Sequence, residues 1–207
     1  MTTEAKFRIT DPGIFWSLQT IDYLGVFAFS DPKILEIHDA YLDTKKRKLL
    51  AAGYNCRRRE QVKGFLITLS KLRSGEDAAQ KHQKWEVTLK KNINSPVDWP
   101  KSKARSRILK VVPEKKLQVI FDFNQTRITR QISNGKQTIA QANLYNVLVI
   151  NKGKEQQFKI LKLIIANPNH EKYLDSLVQS LKTKWSLKSE PLSKFERAIA
   201  MESGKTT

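Results

Sequence analysis

The 207 residues carry 38 lysines and arginines against 20 aspartates and glutamates, a formal charge of +18, and 40% of them are hydrophobic. That apolar share excludes wholesale disorder. No apolar run reaches the roughly 18–20 residues that a membrane-crossing helix needs. The single cysteine, Cys56, excludes an internal disulfide, no Cys/His grouping suggests zinc, and no signal-type apolar segment opens the chain. The expectation is therefore one cytoplasmic domain over residues 1–207, with its core at about 2–200. Its charge is suited to a polyanionic partner: a nucleotide, polyphosphate, nucleic acid or an anionic membrane surface.

Period-two alternation, the mark of half-buried strands, begins at residues 4–9 (EAKFRI). Asp31-Pro32 then reads as the start of a helix over 31–37, with Asp31 as N-cap and Pro32 at the first helical position. Strands follow at 54–60, 64–70 and 84–90, with a turn at Ser74-Gly75. Residues 91–106 read as a loop leading into a basic helical turn. Further strands are expected at 117–123, 125–132, 137–150 and 156–165, separated by turns at Asn134-Gly135 and Lys152-Gly153. Tyr173, Leu174, Leu177, Val178 and Leu181 have the spacing of an amphipathic helix over 170–183, and a short helix at about 192–202 closes the chain. Many strands with a few helices imply an antiparallel α+β fold, and alternation this sustained permits closure into a barrel.

Alternation also sorts the charges. Glu4, Lys6 and Arg8 share one strand face, Arg57 and Arg59 another, and Arg127 and Thr129 a third. On a single strand such a face would simply meet water. Repeated over a closed sheet, it would give a basic interior suited to phosphate chains, since guanidinium groups hold phosphate oxygens in pairs. His38, His82 and His170 are scattered and form no catalytic grouping. The basic stretch 101–110 is a candidate contact for nucleic-acid phosphates or a membrane surface, or else a solvated loop or helix face.

Several short motifs stand in order along the chain. They are Glu4-Ala5-Lys6, Tyr41-Leu42-Asp43-Thr44, Leu49-Leu50 with Gly53, and Arg57-Arg58-Arg59. Thr68-Leu69-Ser70-Lys71, His82-Gln83-Lys84-Trp85-Glu86, Arg127, and Ser193-Lys194-Phe195-Glu196-Arg197-Ala198 complete the series. The pattern resembles the CYTH, or triphosphate tunnel metalloenzyme, family over nearly the whole chain. The resemblance implies an eight-stranded antiparallel closed β-barrel, the triphosphate tunnel, with flanking helices. In that family basic tunnel residues bind the triphosphate and acidic ones hold Mg²⁺ or Mn²⁺. Its members include inorganic, thiamine and RNA triphosphatases, class IV adenylyl cyclases and polyphosphate polymerases.

The basic half of the pattern is retained. Lys6, Arg57, Arg59, Arg127 and Lys194 match phosphate-contact positions. Lys71 matches if a bulge shifts it from Ser70, and Arg8, Lys84 and Lys162 are further basic candidates. The acidic half is not retained. Thr2, His82, Lys84, Ile160 and Lys162 stand where the pattern calls for other residues, mostly carboxylates, and Asn143 or Tyr145 replaces an aspartate. Glu4 and Glu86 are the matched acids left as metal ligands, whereas a hard divalent cation wants several oxygen donors. The expected function is a triphosphate- or polyphosphate-binding tunnel with weakened or lost catalysis, in a sensor or pseudoenzyme role. The alternatives are a divalent-metal triphosphatase or class IV-type cyclase, and a basic nucleic-acid-binding module.

Overall fold

The structure, a computed structural model, describes residues 4–72, 83–113, 116–165 and 167–204. Thr2, His82 and the expected turn at Ser74-Gly75 lie outside these residues. In chain order the strands are β1 (Glu4–Ile9), β2 (Tyr23–Leu24), β3 (Phe27–Phe29), β4 (Lys33–Asp43), β5 (Tyr54–Gln61) and β6 (Gly64–Lys71). They continue with β7 (Lys84–Leu89), β8 (Gln118–Asn134), β9 (Gln137–Asn151), β10 (Lys154–Ile165) and β11 (Lys188–Ser189). The helices are α1 (Pro12–Thr20), α2 (Lys48–Ala51), α3 (Lys103–Val111), α4 (Glu171–Trp185) and α5 (Lys194–Glu202). The fold is α+β, with a large antiparallel sheet. Of its eleven strands among the described residues, eight are six residues or longer and three are short.

The described residues gather into two compact units. In the first, β1 pairs with β10 in register Lys6↔Lys162 and Arg8↔Ile160, and its other edge takes β11. Phe7, Ile9, Leu161, Leu163 and Ile165 turn to a core that the apolar faces of α1 and α4 cover through Phe15, Leu18, Leu174, Leu177 and Leu181. Burying such side chains is worth about 1.5–3 kcal/mol each, so alternation on β1 and β10 dictates which face the helices take.

In the second unit β5 is paired on both sides: Asp39↔Arg59 and Tyr41↔Arg57 with β4, and Arg57↔Thr68 with β6. The β6–β7 register continues as Thr68↔Glu86 and Ser70↔Lys84. One face carries Leu42, Cys56, Ile67, Leu69 and Val87 to a core closed by Ala104 and Ile108 of α3, with Trp99. Gly64 admits no other residue without movement, because a Cβ there would meet the Leu89 carbonyl oxygen at 2.2 Å.

The helix expected over 31–37 is a correction: residues 33–43 form β4. Before Asp31 the chain is already laddered to β8, through Phe29↔Ile132 and the Ser30 N–H to the Gln131 carbonyl. That pairing overrides the local Asp-Pro signal. The same dipeptide at Asp11-Pro12 does open a helix, α1, where Asp11 Oδ1 accepts the Gly13 N–H at 2.7 Å. The strands expected at 117–123 and 125–132 are one strand, β8. Within the stretch read as a loop, a 3₁₀ turn at Pro96–Asp98 precedes α3, whose N-cap Ser102 accepts the Arg105 N–H. The turn expected at Lys152-Gly153 stands, and the one expected at Asn134-Gly135 falls one residue later, at Gly135-Lys136 between β8 and β9. Gly135 has φ +56°, and Lys152 and Gly153 have φ +50° and +77°, the pair of positive values that a two-residue hairpin needs.

Candidate functional site: two basic strand faces

The first face lies in the second unit, on the side of β4–β7 opposite the core. Arg57 and Arg59 are neighbours on it by alternation. Arg59 donates through Nε and Nη2 to the two oxygens of Asp39, both at 2.7 Å. Asp39 is 2% exposed, and its Oδ1 is also 3.9 Å from Arg57 Nε. Arg57 Nη2 donates to Thr68 Oγ1 at 3.3 Å, and that hydroxyl donates onward to Glu86 Oε1 at 3.1 Å. The result is a pair of neighbouring guanidiniums, Arg59 clamped by a buried carboxylate and Arg57 near that carboxylate and bonded to a hydroxyl relay. Lys84 is exposed, paired with Ser70 at the far end of this face. Lys71 does not join it. The register runs unbroken through Tyr54↔Lys71 and Asn55↔Ser70, with no bulge, so Ser70 takes the polar face and Lys71 the opposite one.

The second face lies in the first unit. Glu4, Lys6 and Arg8 share one side of β1 with Lys162 and Ile160 of β10. Lys162 Nζ sits 2.6 Å from Glu4 Oε2, so the one acid on this strand is already neutralised. Lys6 donates to the Leu192 carbonyl. Burial holds its pKa below the usual lysine range, opposed by the nearby charges of Glu190, Glu4 and Glu196. Lys194 donates to Gln125 Oε1 at 2.5 Å and stands 3.2 Å above the Tyr145 ring. Arg127 shares a β8 face with Gln125 and Thr129, and its Nε is buried.

Local sequence explains how these groups are positioned. Ser193 and Glu196 form a reciprocal cap: the Ser193 N–H donates to Glu196 Oε2 at 2.7 Å, and the Glu196 N–H to Ser193 Oγ at 3.2 Å. This fixes Lys194 as the first residue of α5. Arg197 is not a surface cation but the buried partner of Glu190. Asp43 of the Tyr41–Thr44 motif accepts the backbone N–H groups of Thr44, Leu49 and Leu50, so it anchors α2. Other basic residues are structural too. Arg130 donates to the carbonyls of Leu18, Gln19, Phe29 and Ser30, tying down the end of α1. Arg58 donates to Asn92 and Asn94. In the basic stretch 101–110, Arg105 is held by the Pro96 and Val97 carbonyls, while Lys101, Lys103 and Lys110 are exposed.

The order of these elements along the chain decides the family. The CYTH domain profile matches residues 1–199. The chain belongs to the CYTH family. Among solved structures it resembles a candidate adenylyl cyclase from Hippeastrum, described as having a dominant triphosphatase activity, at TM-score 0.67 and 15% identity. That match covers 100% of this chain and 98% of the other. It also resembles a candidate adenylate cyclase from Bacillus halodurans at TM-score 0.57 and 15% identity, over 95% and 96% of the two chains. At that identity the likeness speaks for the fold. No curated protein matches the chain in sequence.

Members of this family generally work with a divalent metal, so the acids deserve the same test. Glu4 carries an ammonium at ion-pair distance, and Glu86 accepts from Thr68 and lies two residues from Lys84 on the same strand face. Among the described residues no three His, Cys, Asp or Glu side chains come together as metal ligands do. A carboxylate already held by lysine is a poor ligand for a hard cation, which must displace that charge first. On β1 and β10 the residues present do not fit a Mg²⁺ or Mn²⁺ site. Sequence reasoning missed Asp39. Its signal was its place two residues before Tyr41, opposite Arg59 in the β4–β5 register, which only the β4 assignment makes visible.

Proposed function

We propose that this CYTH protein binds a triphosphate or polyphosphate chain through Arg57, Arg59, Arg127, Lys6, Lys162 and Lys194, with metal-dependent catalysis weakened or lost. The reading carries with it the closed eight-stranded barrel that the family implies, with the basic strand faces turned inward, and a sensor or regulatory role. The observation that supports it most is the Lys162–Glu4 ion pair at 2.6 Å. Where the family pattern calls for carboxylates to gather a cation, β10 supplies Ile160 and Lys162, and that lysine neutralises the remaining acid of β1. Such a face attracts a bare polyanion and repels a metal cation.

The test is calorimetric titration with tripolyphosphate, first in EDTA and then with Mg²⁺ or Mn²⁺, with phosphate release assayed in the same samples. Tight binding in EDTA without release is the expected result. Binding that requires metal and is followed by release overturns the reading. It would support instead a divalent-metal triphosphatase or cyclase, a function favoured by the triphosphatase activity described for the Hippeastrum relative. That second reading requires Glu4→Gln and Glu86→Gln to abolish metal-dependent turnover.

A further inference from the structure

Asn143 on β9 is 2% exposed, and its carboxamide is only half satisfied. The oxygen accepts from Thr129 Oγ1 and from Gln141 Nε2, both at 2.9 Å. An amide oxygen holding two donors fixes which way the group points, so the NH₂ end is the free one. That Nδ2 has no hydrogen-bond partner among the described residues, and neither has Arg127 Nε. Arg127 shares the β8 face of Thr129, the residue bonded to Asn143. A buried donor left without an acceptor costs about 1–3 kcal/mol. Native proteins keep few such groups without a reason. Both orphaned groups are donors, so the chemistry they are set up to meet is an oxygen acceptor, and the Lys194 ammonium over Tyr145 adds positive charge to the same unit.

We infer that Asn143 is an anion-binding residue: its amide N–H groups donate to a phosphoryl oxygen, beside Arg127 Nε, on the strand where the family pattern calls for an aspartate at Asn143 or Tyr145. The site takes an oxyanion that carries no divalent cation. The inference rests on the polyphosphate-binding reading and adds to it an anion-holding amide on β9.

The experiment compares wild type with Asn143→Asp, titrating tripolyphosphate in EDTA and then in Mg²⁺. The aspartate keeps acceptors for Thr129 and Gln141 but has no donor and adds a negative charge. Affinity in EDTA is expected to fall 10- to 100-fold, about 1.4–2.8 kcal/mol. Mg²⁺ should recover part of that loss in the variant while adding nothing in wild type. Arg127→Lys, which keeps the charge but lacks the Nε donor, should also weaken binding in EDTA, and it keeps the test open if Asn143→Asp fails to fold. Unchanged affinity in EDTA for either folded variant overturns the inference alone. Failure of wild type to bind in EDTA overturns the polyphosphate reading as well.

Discussion

The two basic faces hold their charge in different ways. On β5, Arg59 is clamped through two hydrogen bonds by a buried carboxylate, and Arg57 is steadied by the same carboxylate and a threonine hydroxyl. On β1 and β10 the cations are lysines: Lys6 is desolvated and bound to a carbonyl, and Lys162 is tied to Glu4. The arginine face is thus rigid and permanently charged, because a guanidinium does not titrate. On the lysine face Lys6 is adjustable, because burial lowers its pKa against the pull of neighbouring carboxylates.

Breaking the arginine face should have the largest effect. Asp39→Ala leaves Arg59 without its paired acceptor, and removing one partner of a buried pair costs about 3–5 kcal/mol. Arg59 keeps a quarter of its side chain in contact with solvent, so about 2–4 kcal/mol is the expected loss in urea denaturation. A change below about 0.5 kcal/mol would mean that the clamp is not what orders this face. Arg59→Ala takes the bidentate cation from the buried Asp39 carboxylate, so it should cost a similar amount of stability. It should also weaken tripolyphosphate binding by about 10- to 100-fold, as expected for a charge-assisted hydrogen bond worth about 1.5–3 kcal/mol.

The lysine face is sharpened by pH. Lys6 must be protonated to hold an anion, and burial lowers its pKa in the free protein. Affinity should therefore fall as pH rises through that lowered value, before ordinary lysines lose charge. In Lys6→Arg the fall should move to higher pH, since arginine stays charged. Titrations between about pH 7 and 10 read the difference. Superimposed profiles for the two proteins would remove Lys6 from the binding face.

Much of this arrangement was legible in the sequence because strand alternation has a fixed period. The faces of Glu4, Lys6 and Arg8, and of Arg57 and Arg59, follow from counting residues. What alternation does not give is the neighbour. Arg58, Arg130 and Arg197 look like Arg57 in sequence, and all three are structural, serving asparagines, helix-end carbonyls and a buried glutamate. The pairing of β4 was hidden for a related reason. Its Asp31-Pro32 opening is a local helix signal, as Asp11-Pro12 is, and only the ladder to β8 separates the two outcomes. Asp39 and the half-satisfied Asn143 depend on such cross-strand partners, so both emerge only when the strands are placed.

The smallest effect expected concerns an outlying cluster in the second unit, which gives the comparison a control. His38 bridges Glu60 Oε2 at 3.1 Å and Asp122 Oδ1 at 2.5 Å. Burial lowers its pKa, but hydrogen bonds and the charges of the two carboxylates more than offset this and the net shift is upward. A histidine whose folded pKa is raised contributes stability that is complete below its unfolded value near 6.5. That contribution is lost as pH rises through the folded value. With the group more than a third exposed, the contribution should stay below about 1 kcal/mol. His38→Gln should therefore lower Tm by a few degrees near pH 5.5 and hardly at all at pH 9, while leaving tripolyphosphate affinity unchanged. A variant equally destabilised at both pH values would show that His38 acts by packing rather than by charge. One that lost affinity would mean the acidic cluster influences ligand binding, which neither basic face requires.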